Sequence, residues 1–215
     1  MSKRRIGSSS GKSAAGEPLA CALDALRRGE VIVFPTETFY GLGADALDPA
    51  AVERVVRLKG RQPESPIAVI VADAAMLKEI VTDVSPIAAR LIEIFWPGPL
   101  TLVLPARAGL PGPLLNRDGG IGVRISSHPL AASLVRELGR PLTATSANPS
   151  GKEPARTVEE ARGYFSDRLE LFLDGGRLEG KEGSTVAGVA RDQLKIIREG
   201  AIRAEELWTA LAGLR

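Results

Sequence analysis

Pro141-Leu142-Thr143-Ala144-Thr145-Ser146-Ala147-Asn148-Pro149-Ser150-Gly151 is a short extended run that turns polar where it ends. Pro149 and Gly151 stop any regular continuation. Hydroxyl and amide groups fixed on a strand end donate and accept in set directions, which suits phosphate oxygens, a carboxylate or a nucleobase edge. The same letters also suit a loop whose Ser, Thr and Asn satisfy their own backbone.

Outward from that run, the elements alternate as in an α/β domain. Leu19, Leu23 and Leu26 recur at helical spacing up to Gly29, and residues 31–34 read as a strand. Val52, Val55, Val56 and Leu58 mark the next helix, and a strand over Ile67–Val71 follows the Pro63/Pro66 loop. Residues 73–80, 86–95, 129–138 and about 157–165 read as helices, and 100–104, 121–125 and 141–145 as strands. Three late strands, 169–173, 184–189 and 194–198, have little helix between them, so some pairing is antiparallel. The fold class expected is α/β, one domain built on a twisted mixed parallel/antiparallel sheet with flanking helices.

Three further segments place polar groups where apolar elements run out. Val31-Ile32-Val33-Phe34 breaks at Pro35 into Thr36-Glu37-Thr38-Phe39-Tyr40-Gly41-Leu42-Gly43, with two permissive glycines. Lys59-Gly60-Arg61 sets two cations at a helix end, an anion-facing arrangement. Trp96-Pro97-Gly98-Pro99-Leu100-Thr101 precedes Val123-Arg124-Ile125, where a cation interrupts an apolar strand; taken alone, such an Arg reads as an edge or surface residue.

Composition narrows the function classes. A chain of 215 residues with 44% hydrophobic content supports one substantial core. No apolar run approaches the ~20 residues that span a bilayer, and no apolar signal core opens the chain, so a cytoplasmic location is expected. The formal charge of +2 belongs to residues 1–17: the rest holds 24 basic and 25 acidic residues, a net of −1, which speaks against extensive nucleic-acid binding. Residues 1–16 read as a disordered, basic Ser/Gly-rich tail, with a catalytic domain over 17–215. Gly7-Ser8-Ser9-Ser10-Gly11-Lys12-Ser13 imitates a P-loop, but it has three residues between its glycines where four are needed, and no strand precedes it. Cys21 reads as a packing residue on the apolar side of a helix. His128 precedes Pro129 where a helix starts, and without a His or Cys cluster no metal site is expected.

Together these segments resemble the YrdC-like family, and within it the short-form threonylcarbamoyl-AMP synthases. The resemblance runs from about Leu19 to Ile202. It rests on the motif Pro35 to Gly43, Lys59-Gly60-Arg61, Pro97-Gly98-Pro99-Leu100-Thr101, Val123-Arg124-Ile125, Ser146-Ala147-Asn148 followed by Ser150-Gly151, and Ser184-Thr185-Val186 ahead of Arg198-Glu199-Gly200. Lys-x-Arg alone is uninformative, but so many motifs in the family's order are hard to obtain by chance.

The resemblance implies that threonine and bicarbonate form a carbamate whose oxygen attacks the α-phosphorus of ATP, brought with Mg²⁺, giving threonylcarbamoyl-AMP and pyrophosphate. A separate threonylcarbamoyl transferase then acts on tRNA, and direct RNA binding by this chain is at most weak. Lys59 and Arg61 are the expected catalytic cations on the triphosphate, with Ser65, Ser146, Asn148 and Arg198 completing the ATP site. Arg124 is expected to clamp the threonine carboxylate, with Thr38, Ala144 and Ser184 beside it, and Tyr40 to pack through a hydrogen-bonded hydroxyl. No protein-ligated metal is implied. The chain departs from the family pattern at Gln62, Ile70 and Gly188. The alternative is an RNA-binding or ribosome-assembly module of the same fold without catalysis.

Overall fold

The structure is a computed structural model that describes residues 16–60, 66–190 and 193–213. Helix α1 (Gly16–Arg27) buries Ala22, Leu23, Ala25 and Leu26 and leads into β1 (Ile32–Phe34) and β2 (Gly41–Gly43). Helix α2 (Pro49–Lys59) starts where Asp48 accepts from Ala50 N–H at 2.9 Å and Pro49 fits the first helical position. It ends at Gly60, whose φ of 58° lets its N–H turn back to the Arg57 carbonyl. After β3 (Val69–Ile70), Asp73 and Ser85 cap α3 (Ala74–Ile80) and α4 (Pro86–Phe95) in the same way. Strands β4 (Leu100–Pro105) and β5 (Gly120–Arg124) form the centre of the larger sheet, and α5 (Pro129–Leu138) starts at His128. The chain continues through β6 (Leu142–Thr143), β7 (Thr145–Ser146), α6 (Val158–Phe165), β8 (Thr185–Ala190), β9 (Gln193–Arg198) and α7 (Ala204–Leu211).

Two sheets result. The six-stranded one runs β6-β3-β5-β4-β8-β9, with β3/β5 and β4/β8 parallel and the other pairs antiparallel. The three-stranded one, β1-β2-β7, is antiparallel. The mixed sheet with flanking helices matches the sequence-based expectation, and the smaller sheet is an addition to it. Its middle strand, Gly41-Leu42-Gly43, has little strand propensity. The glycines are there for space: a Cβ on Gly43 would lie 2.9 Å from the buried Phe34 ring, and one on Gly41 would lie 3.2 Å from it.

Other boundaries differ for identifiable reasons. The expected strand 141–145 is two strands, broken at Ala144. The expected strand 67–71 pairs only at Val69–Ile70, and 169–173 makes a single bridge, Phe172 to Val33, held by Val33 N–H to Leu171 O and Leu173 N–H to Val33 O. Helix α7, absent from the sequence reading, buries Leu207. Cys21 is exposed, so its expected packing role is corrected. The expected tail, apart from Gly16, falls outside the described residues.

Thr185 ties the end of the chain to the sheet. Fully buried in β8, its Oγ1 accepts from the Gly200 and Ile202 amides, each at 3.0 Å, and donates to the Ile202 carbonyl. Thr185→Val strands both amides, at about 1–3 kcal/mol for each buried donor left without an acceptor. Urea denaturation should show that loss, with Thr185→Ser restoring most of it. A Val variant as stable as the parent would contradict this reading.

Candidate functional site

Both sheets line one cleft of about 1000 Å³: alternate residues of β4 (Thr101, Val103) and β5 (Gly120, Gly122, Arg124) face it from the larger sheet, and Gly41, Thr145 and Ser146 from the smaller. Lys59 lies in the last turn of α2, where the helix dipole favours a cation. Its buried Nζ donates to the Ser146 carbonyl (2.7 Å), to Ser146 Oγ (3.3 Å) and to Asn148 Oδ1 (3.1 Å). Asn148 is fixed in turn, its Nδ2 donating to the Pro149 and Lys152 carbonyls at 3.1 and 2.6 Å. The reading in which the amide satisfies its own loop thus holds for Asn148, and Lys59, Ser146 and Asn148 all line the cleft.

Arg124 ends β5, which lies between β3 and β4 inside the large sheet, so the edge-strand reading of this residue fails. Its Nη1 is paired with a carboxylate oxygen of Glu37, and the other oxygen of Glu37 takes the Ser126 hydroxyl. Burial pulls the Arg124 guanidinium below its ordinary range, Glu37 pushes it back up, and nearby Arg198 lowers it further. Arg198 comes from β9 and is exposed overall, yet it donates through Nη2 to the Ser184 carbonyl (2.8 Å), and burial of that end lowers its pKa. The Ser184 hydroxyl shares a 2.9 Å hydrogen bond with buried Thr101.

Buried Thr38 belongs to a chain of hydroxyls whose direction can be worked out. Thr36 Oγ1 donates to the Phe39 carbonyl (2.7 Å), so its proton is committed. The 3.1 Å contact between the two hydroxyls is therefore donated by Thr38, whose lone pairs remain open to a ligand donor. Ala144 holds the floor, its N–H bound to the Ala68 carbonyl at 2.8 Å. Tyr40 is buried; its hydroxyl donates to Gly176 O (2.7 Å) and accepts from Gly175 N–H (2.9 Å), and burial pushes it up to about 12, which fits an anchor for the 174–176 segment.

Thr38, Lys59, Arg124, Ala144, Ser146, Asn148, Ser184 and Arg198 thus all line the same cleft. Arg61 and Ser65, with Gln62, lie outside the described residues. Ile70 is buried in β3 opposite Arg124, and a Cβ on Gly188 would meet nothing closer than 3.5 Å. Among the described residues, no cluster of three His, Cys, Asp or Glu side chains could hold a metal, and no helix is long and apolar enough to cross a membrane.

The Sua5/YciO/YrdC family model, described as "Telomere recombination", matches residues 24–200. This chain belongs to that family. It is 39% identical over 171 residues to a threonylcarbamoyl-AMP synthase of Shigella boydii, a match that covers 78% of this chain and 90% of that protein. A crystal structure of Sua5 from Pyrococcus abyssi complexed with L-threonine superposes with a TM-score of 0.86 at 34% identity. That match covers 90% of this chain but 57% of the other, so the chain spans little more than half of that longer relative. Escherichia coli YciO, matched over 89% of this chain and 93% of its own, gives 0.80 at 29% identity.

Sequence reasoning passed over Glu37, which does not line the cleft of this Sua5/YciO/YrdC domain but pairs with Arg124, which does. It was visible inside the opening motif, and the missing inference was that an Arg buried in a strand needs a carboxylate. His128 was read correctly as a helix start: its Nδ1 accepts from Leu130 N–H at 3.3 Å, which requires that nitrogen to be unprotonated. Burial sets its pKa below the ordinary 6.5, against the pull of Glu37. The unfolded chain then binds this proton more readily than the folded one. His128 therefore contributes stability that is complete above its unfolded pKa and is lost as pH falls through its lower folded value. Between about pH 7.5 and 5.5 the denaturation midpoint should fall more steeply in the parent than in His128→Asn, which caps without titrating. Equal slopes would contradict this.

Proposed function

We propose that this chain is a threonylcarbamoyl-AMP synthase, joining L-threonine, bicarbonate and ATP with release of pyrophosphate. The observation that carries the reading is the convergence on one cleft of Lys59, Arg124 and Arg198, from a helix end and two strands, among the hydroxyls of Thr38, Ser146 and Ser184. Its reactants are anions or become so, and the chemistry is dominated by holding them in line and offsetting their repulsion. That is a task for fixed cations and hydroxyls, and it needs no nucleophile–base dyad.

In this reading Lys59 and Arg61 meet the triphosphate, which arrives with Mg²⁺ as part of the substrate. Ser146, Ser65 and Arg198 hold nucleotide oxygens, and Asn148, its two amide protons spent on its own loop, accepts from a ribose hydroxyl while holding Lys59. The Arg124 guanidinium clamps the threonine carboxylate, a planar bidentate task to which Arg is suited. Thr38 accepts a hydrogen bond from the amino acid, and Ser184 and the Ala144 backbone complete its surroundings. The carbamate oxygen displaces pyrophosphate at the α-phosphorus, forming the mixed anhydride. The product passes in the cytoplasm to a separate transferase acting on tRNA, since a body of net charge −1 suits small anions better than an extended polyanion. The alternative, an RNA-binding module without catalysis, is not favoured.

The test is pyrophosphate release by the purified protein with ATP, Mg²⁺ and bicarbonate, with and without L-threonine and with no RNA present. Release that depends on threonine is expected; release that requires tRNA would overturn the reading. Lys59→Met should lower kcat/KM for ATP by about 10–100-fold, the effect of losing a charge-assisted contact of roughly 1.5–3 kcal/mol. Turnover like the parent's would remove Lys59 from the mechanism.

A further inference from the structure

We propose that Glu37 is a positioning residue that makes the Arg124 site selective for an amino-acid carboxylate over inorganic polyanions. The proposal rests on the reading of Arg124 as the carboxylate clamp. The Arg124 and Glu37 side chains are 7% and 12% exposed, so their pairing is shielded from water. Glu37 is held at both oxygens: one takes Arg124 Nη1, the other the Ser126 hydroxyl. Ser126 is itself buried and accepts the His128 amide at 3.2 Å. The carboxylate is thus fixed between the loop after β1 and the end of β5.

One consequence is geometric. Glu37 engages Nη1 alone, and Nε and Nη2 of Arg124 have no protein acceptor among the described residues. No buried side-chain nitrogen or oxygen there lacks a partner, so these groups are open to the cleft that Arg124 lines. Nε–H and Nη2–H lie parallel on one edge of the guanidinium, the edge that matches two carboxylate oxygens. By occupying the opposite nitrogen, Glu37 decides which edge is presented.

The other consequence is electrostatic. The cleft contains a second guanidinium, Arg198, whose hydrogen bond goes to a neutral carbonyl and which raises the cost of a charge on Arg124. Left uncompensated, this pair would draw phosphate-like anions onto the amino-acid site. With Glu37 in place, the Arg124 end is close to neutral overall. A zwitterion brings no net charge and still offers two carboxylate oxygens to the open edge; a doubly charged anion there is repelled by the Glu37 carboxylate across the guanidinium.

The probe is sulfate, measured as an inhibitor competitive with L-threonine in pyrophosphate release. Threonine-dependent release by the parent enzyme first checks the functional reading, and its absence there would count against that reading and not against Glu37. In Glu37→Gln, which keeps the shape and loses the charge, the ratio of the sulfate inhibition constant to the threonine KM should fall at least about tenfold. In Glu37→Ala the same ratio should fall, and the threonine KM should rise more than the ATP KM because Arg124 loses its orientation. A ratio within about twofold of the parent in both variants, or threonine and ATP KM values rising in parallel as in a loosened fold, would overturn the proposal.

Discussion

At Ala144 the main chain leaves one sheet and enters another, and the cleft depends on that break. Leu142 and Thr143 form the edge of the six-stranded sheet against β3, while Thr145 pairs with Leu42 and Ser146 with Gly41 in the smaller sheet. Thr143 fastens the crossing: its amide donates to the Ala44 carbonyl (2.9 Å), and its hydroxyl accepts from the Ala44 amide and donates to the Leu42 carbonyl. With the next amide bound to Ala68, both amides at the crossing, those of Thr143 and Ala144, are paired. Residues on either side of the crossing, Gly41 and Ser146 of the smaller sheet and Thr101 and Arg124 of the larger among them, line the cleft.

That geometry explains why the charged groups come from distant parts of the sequence. Lys59 reaches in from a helix end and is held by the residues that follow the break, Ser146 and Asn148. Arg124 and Arg198 come from two strands of the larger sheet. Fixed cations in a partly enclosed site act on anions more strongly than they would in water, and they need no rearrangement as charge moves during a reaction. Holding them there has a cost, seen in the lowered pKa of both guanidiniums; Glu37 offsets it at Arg124.

Much of this was legible in the sequence because helix caps and strand ends carry local signals. Residues 129–138 read as a helix and are one, since Pro129 and Gly139 mark both ends. The polar clusters after apolar runs come together, and the eight expected residues within the described chain line one cleft. Longer-range pairing was hidden. Gly41-Leu42-Gly43 looks like a turn until the Phe34 ring is seen filling the space that side chains would need. Leu169–Leu173 has the letters of a strand, but only Phe172 meets a neighbour in bridge geometry. The 141–145 run gave no sign that it would divide between sheets, because that division is set by what Ala44 and Ala68 offer it across the fold. Glu37 was hidden for the same reason: its partner Arg124 is 87 residues away.

The central claim is that a single cleft holds a nucleotide triphosphate and an amino acid on different cations. A crystal structure of this chain with L-threonine and a non-hydrolysable ATP analogue tests it most directly. The account predicts the threonine carboxylate on the open edge of Arg124, the triphosphate beside Lys59, and the α-phosphorus facing the amino acid. Threonine bound away from Arg124, or a nucleotide bound outside the cleft, would contradict it.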